Sequence, residues 1–268
     1  MSEKDAIEGM LIPNTKATLI YDLKELGLKK GDLVLVHSSL SKLGWVCGRE
    51  IAVIDALKEV VGETGTIVMP AFSGDNSHPG LWQNPPVSKE WIEIIKEQMP
   101  PFHVKRTPLR EMGRIAESFC FSEDVLRSNH PQVSFCAWGK DKEIITSVHP
   151  LSLGFGKDSP LQRLYDMRAK VLLLGVSYSN CTCLHLSELK LNKPLLKQGA
   201  KILKDDKEVW IDFMEYDYDD SNFEALGKDY EKQREVKKRT IGKSICRLIE
   251  MKDLCDFGDV WLKEHYKC

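Results

Sequence analysis

The sequence predicts an α/β fold: a single extended α/β domain over residues 1–268, with a central, mainly parallel sheet and lateral insertions. Three observations lead there. Two short apolar runs, Asp32-Leu-Val-Leu-Val-His37 and Lys170-Val-Leu-Leu-Leu-Gly-Val176, have the length and continuous hydrophobicity of strands buried on both faces. The order strand, turn, helix, strand over residues 32–72 is that of a right-handed parallel crossover. No repeat, low-complexity block or Pro/Gly/Ser-rich linker divides the chain, and 42% hydrophobic against 29% charged residues supplies one sizeable core.

The elements follow in order. After the first strand, residues 38–48 form a polar, Gly-punctuated turn. A helix is predicted over 49–61, with Ile51, Ile54, Leu57 and Val61 on one face, ended by Gly65. Thr66-Ile-Val-Met-Pro-Ala-Phe72 is the next strand. Residues 73–87, rich in Gly, Asn and Pro, form a long loop, and a helix over 91–98 stops at Pro100-Pro101. Ser159 caps a short helix begun by Pro160 and running to residue 165. The strand over 170–176 leads through a loop, 177–181, into a helix starting near Thr182. Beyond Lys201 come two strand-like pieces and then helices over 224–235 and 243–263.

Charge and composition exclude several function classes. Thirty-eight basic against forty acidic residues leave a net charge of -2, so there is no general field for nucleic acid. The longest uncharged stretch, 171–187, carries too many polar groups to span a bilayer. The first residues lack the apolar segment of a secretory leader. Eight cysteines without a CxxC pair read as reduced thiols, and a cytoplasmic location is expected.

Four features bear on chemistry. The segment from His37 to Gly48 follows a strand and precedes a helix, and its small residues let backbone N–H groups approach an anion, particularly a pyrophosphate; an ordinary β–α turn is the alternative. Gly154-Phe-Gly156 only approaches a dinucleotide fingerprint. His185 and Glu188 stand three apart on a helix, the spacing at which a carboxylate orients an imidazole base. Cys181, Cys183, His185 and Glu188, with His78, His130 or His149, can be drawn as a zinc site, but the spacing is not that of zinc ligands and no metal is expected. The segment from Asp212 to Glu224 holds six carboxylates and no basic residue, suiting a polycationic substrate or a solvated loop. The basic run 232–243 reads as a solvated helix face.

An ordered series of motifs then carries a resemblance. It comprises Val36-His-Ser-Ser-Leu-Ser-Lys-Leu-Gly-Trp45, Gly65-Thr-Ile-Val-Met-Pro70, Ser73-Gly-Asp-Asn-Ser77, Trp82-Gln-Asn-Pro-Pro86, Pro101-Phe102, Thr107-Pro108 and Met112-Gly113. It continues with Arg127-Ser-Asn-His-Pro131, Ser159-Pro-Leu161, Val171-Leu-Leu-Leu-Gly175 and Thr182-x-x-His185-x-x-Glu188. Over nearly its whole length the chain resembles the aminoglycoside 3-N-acetyltransferase family, whose fold differs from the common GNAT acetyltransferases. The resemblance implies transfer of an acetyl group from acetyl-CoA, as co-substrate, to the 3-amino group of an aminoglycoside or a related amine.

It further implies His185 as general base supported by Glu188, with direct transfer in a ternary complex. The implied cofactor-binding residues are His37, Ser38, Ser39, Leu40, Ser41, Lys42, Leu43 and Gly44, with Thr107, Met112 and Gly113 along the same channel. Asp75, Asp212 and Glu215 are the implied carboxylates for the acceptor amines, with Thr182 beside them. The Thr182 hydroxyl or backbone N–H groups of residues 38–41 are the candidate oxyanion donors. The partner expected is a small cationic amine, with a homodimer left open. Departures at His103, Leu109, Arg49, Cys181 and Cys183 touch the channel and the site mouth but leave His185 and Glu188 intact. Three alternatives stand beside this reading: a zinc-dependent hydrolase, a catalytically silent CoA-binding protein, and an acyl relay through Cys181 and Cys183.

Overall fold

A computed structural model describes residues 3–265. Nine strands are present among them: β1 (Leu33–Ser38), β2 (Thr66–Pro70), β3 (Leu126–Arg127), β4 (Phe135–Gly139), β5 (Lys170–Leu174), β6 (Leu195–Lys204), β7 (Lys207–Tyr216), β8 (Lys237–Ile241) and β9 (Ser244–Glu250). Seven form one sheet in the order β3-β4-β2-β1-β5-β9-β8, and β6 pairs with β7 in a separate hairpin. β1 pairs in parallel with both β2 and β5, whereas β4 and β9 run against their neighbours. Because β3 and β8 reverse direction again, all strands of this sheet but β4 and β9 point the same way, although its outer pairings are antiparallel.

The two-residue period of β1 sorts its side chains between two cores. Val34 and Val36 join a cluster with Leu57, Val61, Ile115, Phe119 and Leu174 under the helices Lys16–Leu26, Arg49–Val61 and Gly113–Cys120. Leu35 faces the other cluster, with Phe135, Phe155, Leu173, Leu184, Phe223 and Leu254, under the helices Pro160–Asp166, Phe223–Gln233 and Met251–His265. His37 therefore emerges on the second face, at the carboxyl end of the strand.

Several local expectations change. The helix Arg49–Val61 forms as predicted, but Ile51 is 55% exposed. The buried face is instead Ala52, Val53, Ile54, Ala56, Leu57, Val60 and Val61, because neighbouring helices cover the flank as well as the sheet. The helix ends at Gly62, whose φ of 65° suits a residue without Cβ, rather than at Gly65. The helix starting near Thr182 is a short 3₁₀ turn followed by one α-turn, His185–Glu188.

The helix expected over 243–263 divides into β9 and the helix Met251–His265. Gly242, φ 58°, opens a two-residue turn between Ile241 and Ser244, and β9 then pairs antiparallel with β5. The basic run consequently ends in the edge strand β8, where exposed lysines discourage further strand pairing. The expectation that all thiols are free is also corrected: Cys120 and Cys136 form a disulfide between the helix Gly113–Cys120 and β4. Their apposition comes from helix-on-sheet packing, which spacing along the chain does not reveal. Among the described residues, no helix is long and apolar enough to cross a membrane.

Candidate active site

β1 has its sequential partner β2 on one side and β5 on the other, so the chain reverses its lateral direction there. Open α/β sheets bind ligands at the carboxyl ends of strands at such a switch point. Two adjoining cavities lie there, sharing Ser38, Glu111, Met112, Val176 and Asn180 as walls. The outer is a trench of about 840 Å³, the inner a chamber of about 330 Å³.

Small residues build the trench wall: Ser38, Ser39, Ser41 and Gly44 after β1, and Gly175 after β5. A Cβ on Gly175, φ 76°, would stand 3.0 Å from the Ser39 carbonyl. The turn itself is tied down from distant parts of the chain. Ser39 N–H donates to the Leu174 carbonyl (3.0 Å), Asn14 Nδ2 donates to the carbonyls of Leu43 (2.9 Å) and Trp45 (3.2 Å), and Lys243 N–H donates to Leu43 O (3.1 Å). Lys42, Arg49 and Arg114 add positive charge to the lining.

The chamber contains His185. Its Nδ1 lies 2.6 Å from Glu188 Oε2, and Glu188 Oε1 accepts from Lys193 Nζ and from the Asp219 N–H (2.8 Å). Burial alone would raise the Glu188 carboxyl, but its hydrogen bonds from His185, Lys193 and the Asp219 N–H outweigh that and hold it below the usual range. With Nδ1 occupied, Nε2 is the imidazole nitrogen left for the cavity. Three aromatic rings enclose the imidazole: Phe155 stacks parallel at 5.1 Å and 5°, and Tyr218 and Phe223 each approach to 4.9 Å.

A further polar layer holds those rings. Glu215 Oε2 accepts from Gly154 N–H (2.7 Å), and Glu215 Oε1 accepts from the Tyr218 hydroxyl (2.8 Å) and the Tyr216 N–H (3.0 Å). His149 Nε2 lies 2.7 Å from the Gly154 carbonyl, to which it can only donate. Beside it, His130 Nδ1 accepts from the N–H groups of Gln132 (3.1 Å) and Val133 (3.0 Å), so Nε2 carries the proton toward Leu151 O (3.1 Å). Burial pushes His130 down to about 4, and His149 well below its ordinary range.

The structure distributes the predicted site residues unevenly. Ser38, Ser39, Leu40, Ser41, Lys42, Gly44, Met112 and Gly113 line the trench, and His37, Ser38, Met112, Thr182 and His185 line the chamber. Leu43 does not: it is fully buried in the core, its carbonyl serving as an anchor. Thr107 is also outside both cavities, its carbonyl accepting from Arg127 and its hydroxyl from the His103 N–H.

The three acidic candidates need the same correction. Asp75 pairs with Arg110 at the surface, and Asp212 pairs with Lys197 on the β6–β7 hairpin, so neither lines either cavity. Glu215 is buried with both oxygens occupied, supporting the rings around His185 rather than facing a ligand. The carboxylates lining the chamber are Asp220 and Glu111. Asp220 belongs to the acidic segment already singled out; Phe155 was hidden in the Gly154–Gly156 pair, and nothing in the sequence signalled Lys193 or Glu111.

The drawn zinc set is not assembled. Cys181 and Cys183 are buried, their sulfurs 3.4 Å apart, and among the described residues no three His, Cys, Asp or Glu side chains converge as metal ligands.

This geometry can be set beside known proteins. A family model described as aminoglycoside 3-N-acetyltransferase matches residues 35–263. The chain belongs to that family. It is therefore an acyltransferase by descent, and the similarity extends through the whole fold. The SPbeta prophage-derived aminoglycoside N(3')-acetyltransferase-like protein YokD of Bacillus subtilis is 44% identical over 260 residues, covering 96% of each chain. The YokD crystal structure superposes with a TM-score of 0.96 over 99% of this chain and 100% of that one. AAC-IIIb, solved as a binary complex with CoASH, is 27% identical with a TM-score of 0.84, covering 94% of this chain and 97% of that one. AAC-VIa, solved bound to sisomicin, is 26% identical with a TM-score of 0.85, covering 96% and 100%.

Proposed function

We propose that this protein transfers the acetyl group of acetyl-CoA to the 3-amino group of an aminoglycoside or a closely related amine, in a ternary complex, with His185 as general base. The observation that carries the proposal is the His185–Glu188 pair, 2.6 Å apart in a chamber that shares its walls with the Ser-rich trench. Family membership, the CoASH bound by AAC-IIIb and the sisomicin bound by AAC-VIa support the two substrates.

The residues fit a long substrate with an anionic end. The wall of Ser38, Ser39 and Ser41, continued by Gly175 beside Ser39, leaves room for a slender arm, and Lys42, Arg49 and Arg114 hold phosphates. Bound acetyl-CoA supplies an activated thioester at the chamber mouth. Asp220 and Glu111 receive ammonium groups of the acceptor there.

His185 Nε2 takes the proton from the attacking amine, and Glu188 stabilises the imidazolium that forms. Freeing an amine of pKa about 9 at pH 7 costs about 2.7 kcal/mol, at 1.36 kcal/mol per unit. A positioned base contributes about 10²- to 10⁴-fold, enough to offset that cost. Direct transfer is favoured over a cysteine relay because Cys181 and Cys183 lie outside the chamber lining. Hydrogen bonding with Cys181 and Cys255, then burial, pushes the Cys183 thiol well above its ordinary range, so it is not a thiolate nucleophile.

The test is thiol release from acetyl-CoA with a panel of aminoglycosides and simple polyamines, comparing wild type with His185→Ala. Turnover on aminoglycosides that falls about 10²- to 10⁴-fold in the variant is expected. Binding of CoA with no acetyl transfer to any amine would overturn the reading in favour of a silent CoA-binding protein.

A further inference from the structure

The chamber holds a second imidazole with a different environment. His37 lies on the same sheet face as Leu35, at the end of β1, and lines the chamber together with His185 and Thr182. It is only 6% exposed, yet its Nε2 has no hydrogen-bond partner among the described residues. Buried polar atoms are almost always satisfied, so an orphaned one beside a cavity calls for a ligand atom. Burial, and then the proximity of His185, pushes its pKa down to about 3. His37 is therefore a neutral imidazole near pH 7, useless as a base but able to present an N–H.

We propose that His37 Nε2–H donates to the thioester carbonyl oxygen of the bound acetyl donor and is the side-chain donor for the oxyanion that develops there. The proposal rests on the acetyltransferase reading and adds a residue role to it. A neutral donor fits the task, since an imidazolium would be costly at so buried a position. The backbone alternative is weakened at Ser39, whose N–H is already given to Leu174 O.

The acceptor amine nitrogen forms a bond to the thioester carbonyl carbon, and the carbonyl π pair moves onto the oxygen held by His37. His185 Nε2 takes the amine proton. Return of the electron pair restores the carbonyl, the C–S bond breaks, and the sulfur leaves with its electron pair. His185 then protonates that sulfur, giving the amide and CoA thiol with His185 neutral again.

The experiment is isotope-edited infrared spectroscopy of acetyl-CoA labelled with ¹³C at the acetyl carbonyl, bound to wild type, His37→Ala, His37→Asn and Thr182→Val. A hydrogen bond polarises the carbonyl and lowers its stretching frequency. The band should move down on binding to wild type, relax in His37→Ala, and recover in part in His37→Asn, which retains an N–H donor. In parallel, kcat should fall about 10²- to 10³-fold in His37→Ala while the affinity for CoA, which lacks the carbonyl, stays unchanged. A band unshifted in wild type would overturn the proposal without recourse to any variant. So would a shift abolished by Thr182→Val but kept in His37→Ala, or a lost affinity for CoA with kcat intact. The band is read with no acceptor present, so a wild type that binds acetyl-CoA with a shifted carbonyl but acetylates no amine fails only the acceptor reading.

Discussion

The trench and the chamber are adjoining cavities built on opposite principles. In the trench, the wall is backbone and small side chains, its charges reach out on exposed stems, and the shape is held by hydrogen bonds from residues as far away as Asn14 and Lys243. In the chamber, the reactive imidazole is fixed by layers of buried polar contacts: Glu188 under His185, Lys193 and Asp219 on Glu188, and Glu215 and His149 behind Phe155 and Tyr218. Exposed charges are screened and forgiving, whereas a buried polar network loses much when one member is removed. Trench substitutions should therefore alter affinity modestly, and chamber substitutions should alter turnover or stability severely.

The sharpest way to break that contrast is Glu188→Gln. The amide cannot stabilise an imidazolium as a carboxylate does, and Lys193 loses its buried counter-charge. The expectation is a drop in kcat of about 10²-fold with KM for acetyl-CoA nearly unchanged, together with a lower melting temperature. Steady-state kinetics with each substrate varied checks it; an increase in KM alone would mean that the carboxylate serves binding.

Acid tests the deeper layer. The folded His130 pKa, about 4, is below its unfolded value near 6.5, so the unfolded chain takes up the proton first. Stability from this group is complete above about pH 6.5 and is lost as pH falls toward 4, amounting to about 2 kcal/mol at pH 5. Urea denaturation at pH 7 and pH 5 should reveal that loss, and His130→Asn should lessen the difference between the two pH values. An equal pH dependence in the variant would remove His130 as its source.

The smallest effect belongs to the trench. Arg114→Ala should raise KM for acetyl-CoA about fivefold, equivalent to about 1 kcal/mol, with kcat preserved. The effect should shrink at high salt, because Arg114 is exposed. A salt-independent change would place the guanidinium in a desolvated contact instead.

Much of the central architecture was readable in one dimension. Continuous apolar runs identified β1, β2 and β5, and helical spacing identified Arg49–Val61, because buried strands and amphipathic helices write their burial into local periodicity. His185 and Glu188 were readable for a related reason: residues three apart on one helical turn meet whatever the rest of the fold does. The error at 243–263 shows the limit, since Ile245, Leu248 and Ile249 satisfy a helical pattern until the Gly242 turn and the open edge of β5 make a strand.

The α/β class, the parallel crossover, the Ser-rich turn after β1 and the His185–Glu188 pair were all legible in patterns local to the chain. Long-range packing decided which carboxylates face the cavity: Asp220 and Glu111 do, while Asp75, Asp212 and Glu215 are turned to other partners. It also decided that Phe155 and Tyr218 enclose the base, that Lys193 secures Glu188, and that His37, a residue of the chamber lining, keeps an unsatisfied Nε2. The physical reason is the same in each case. Burial and hydrogen-bond partnership belong to pairs of residues that the chain separates widely and only packing brings together.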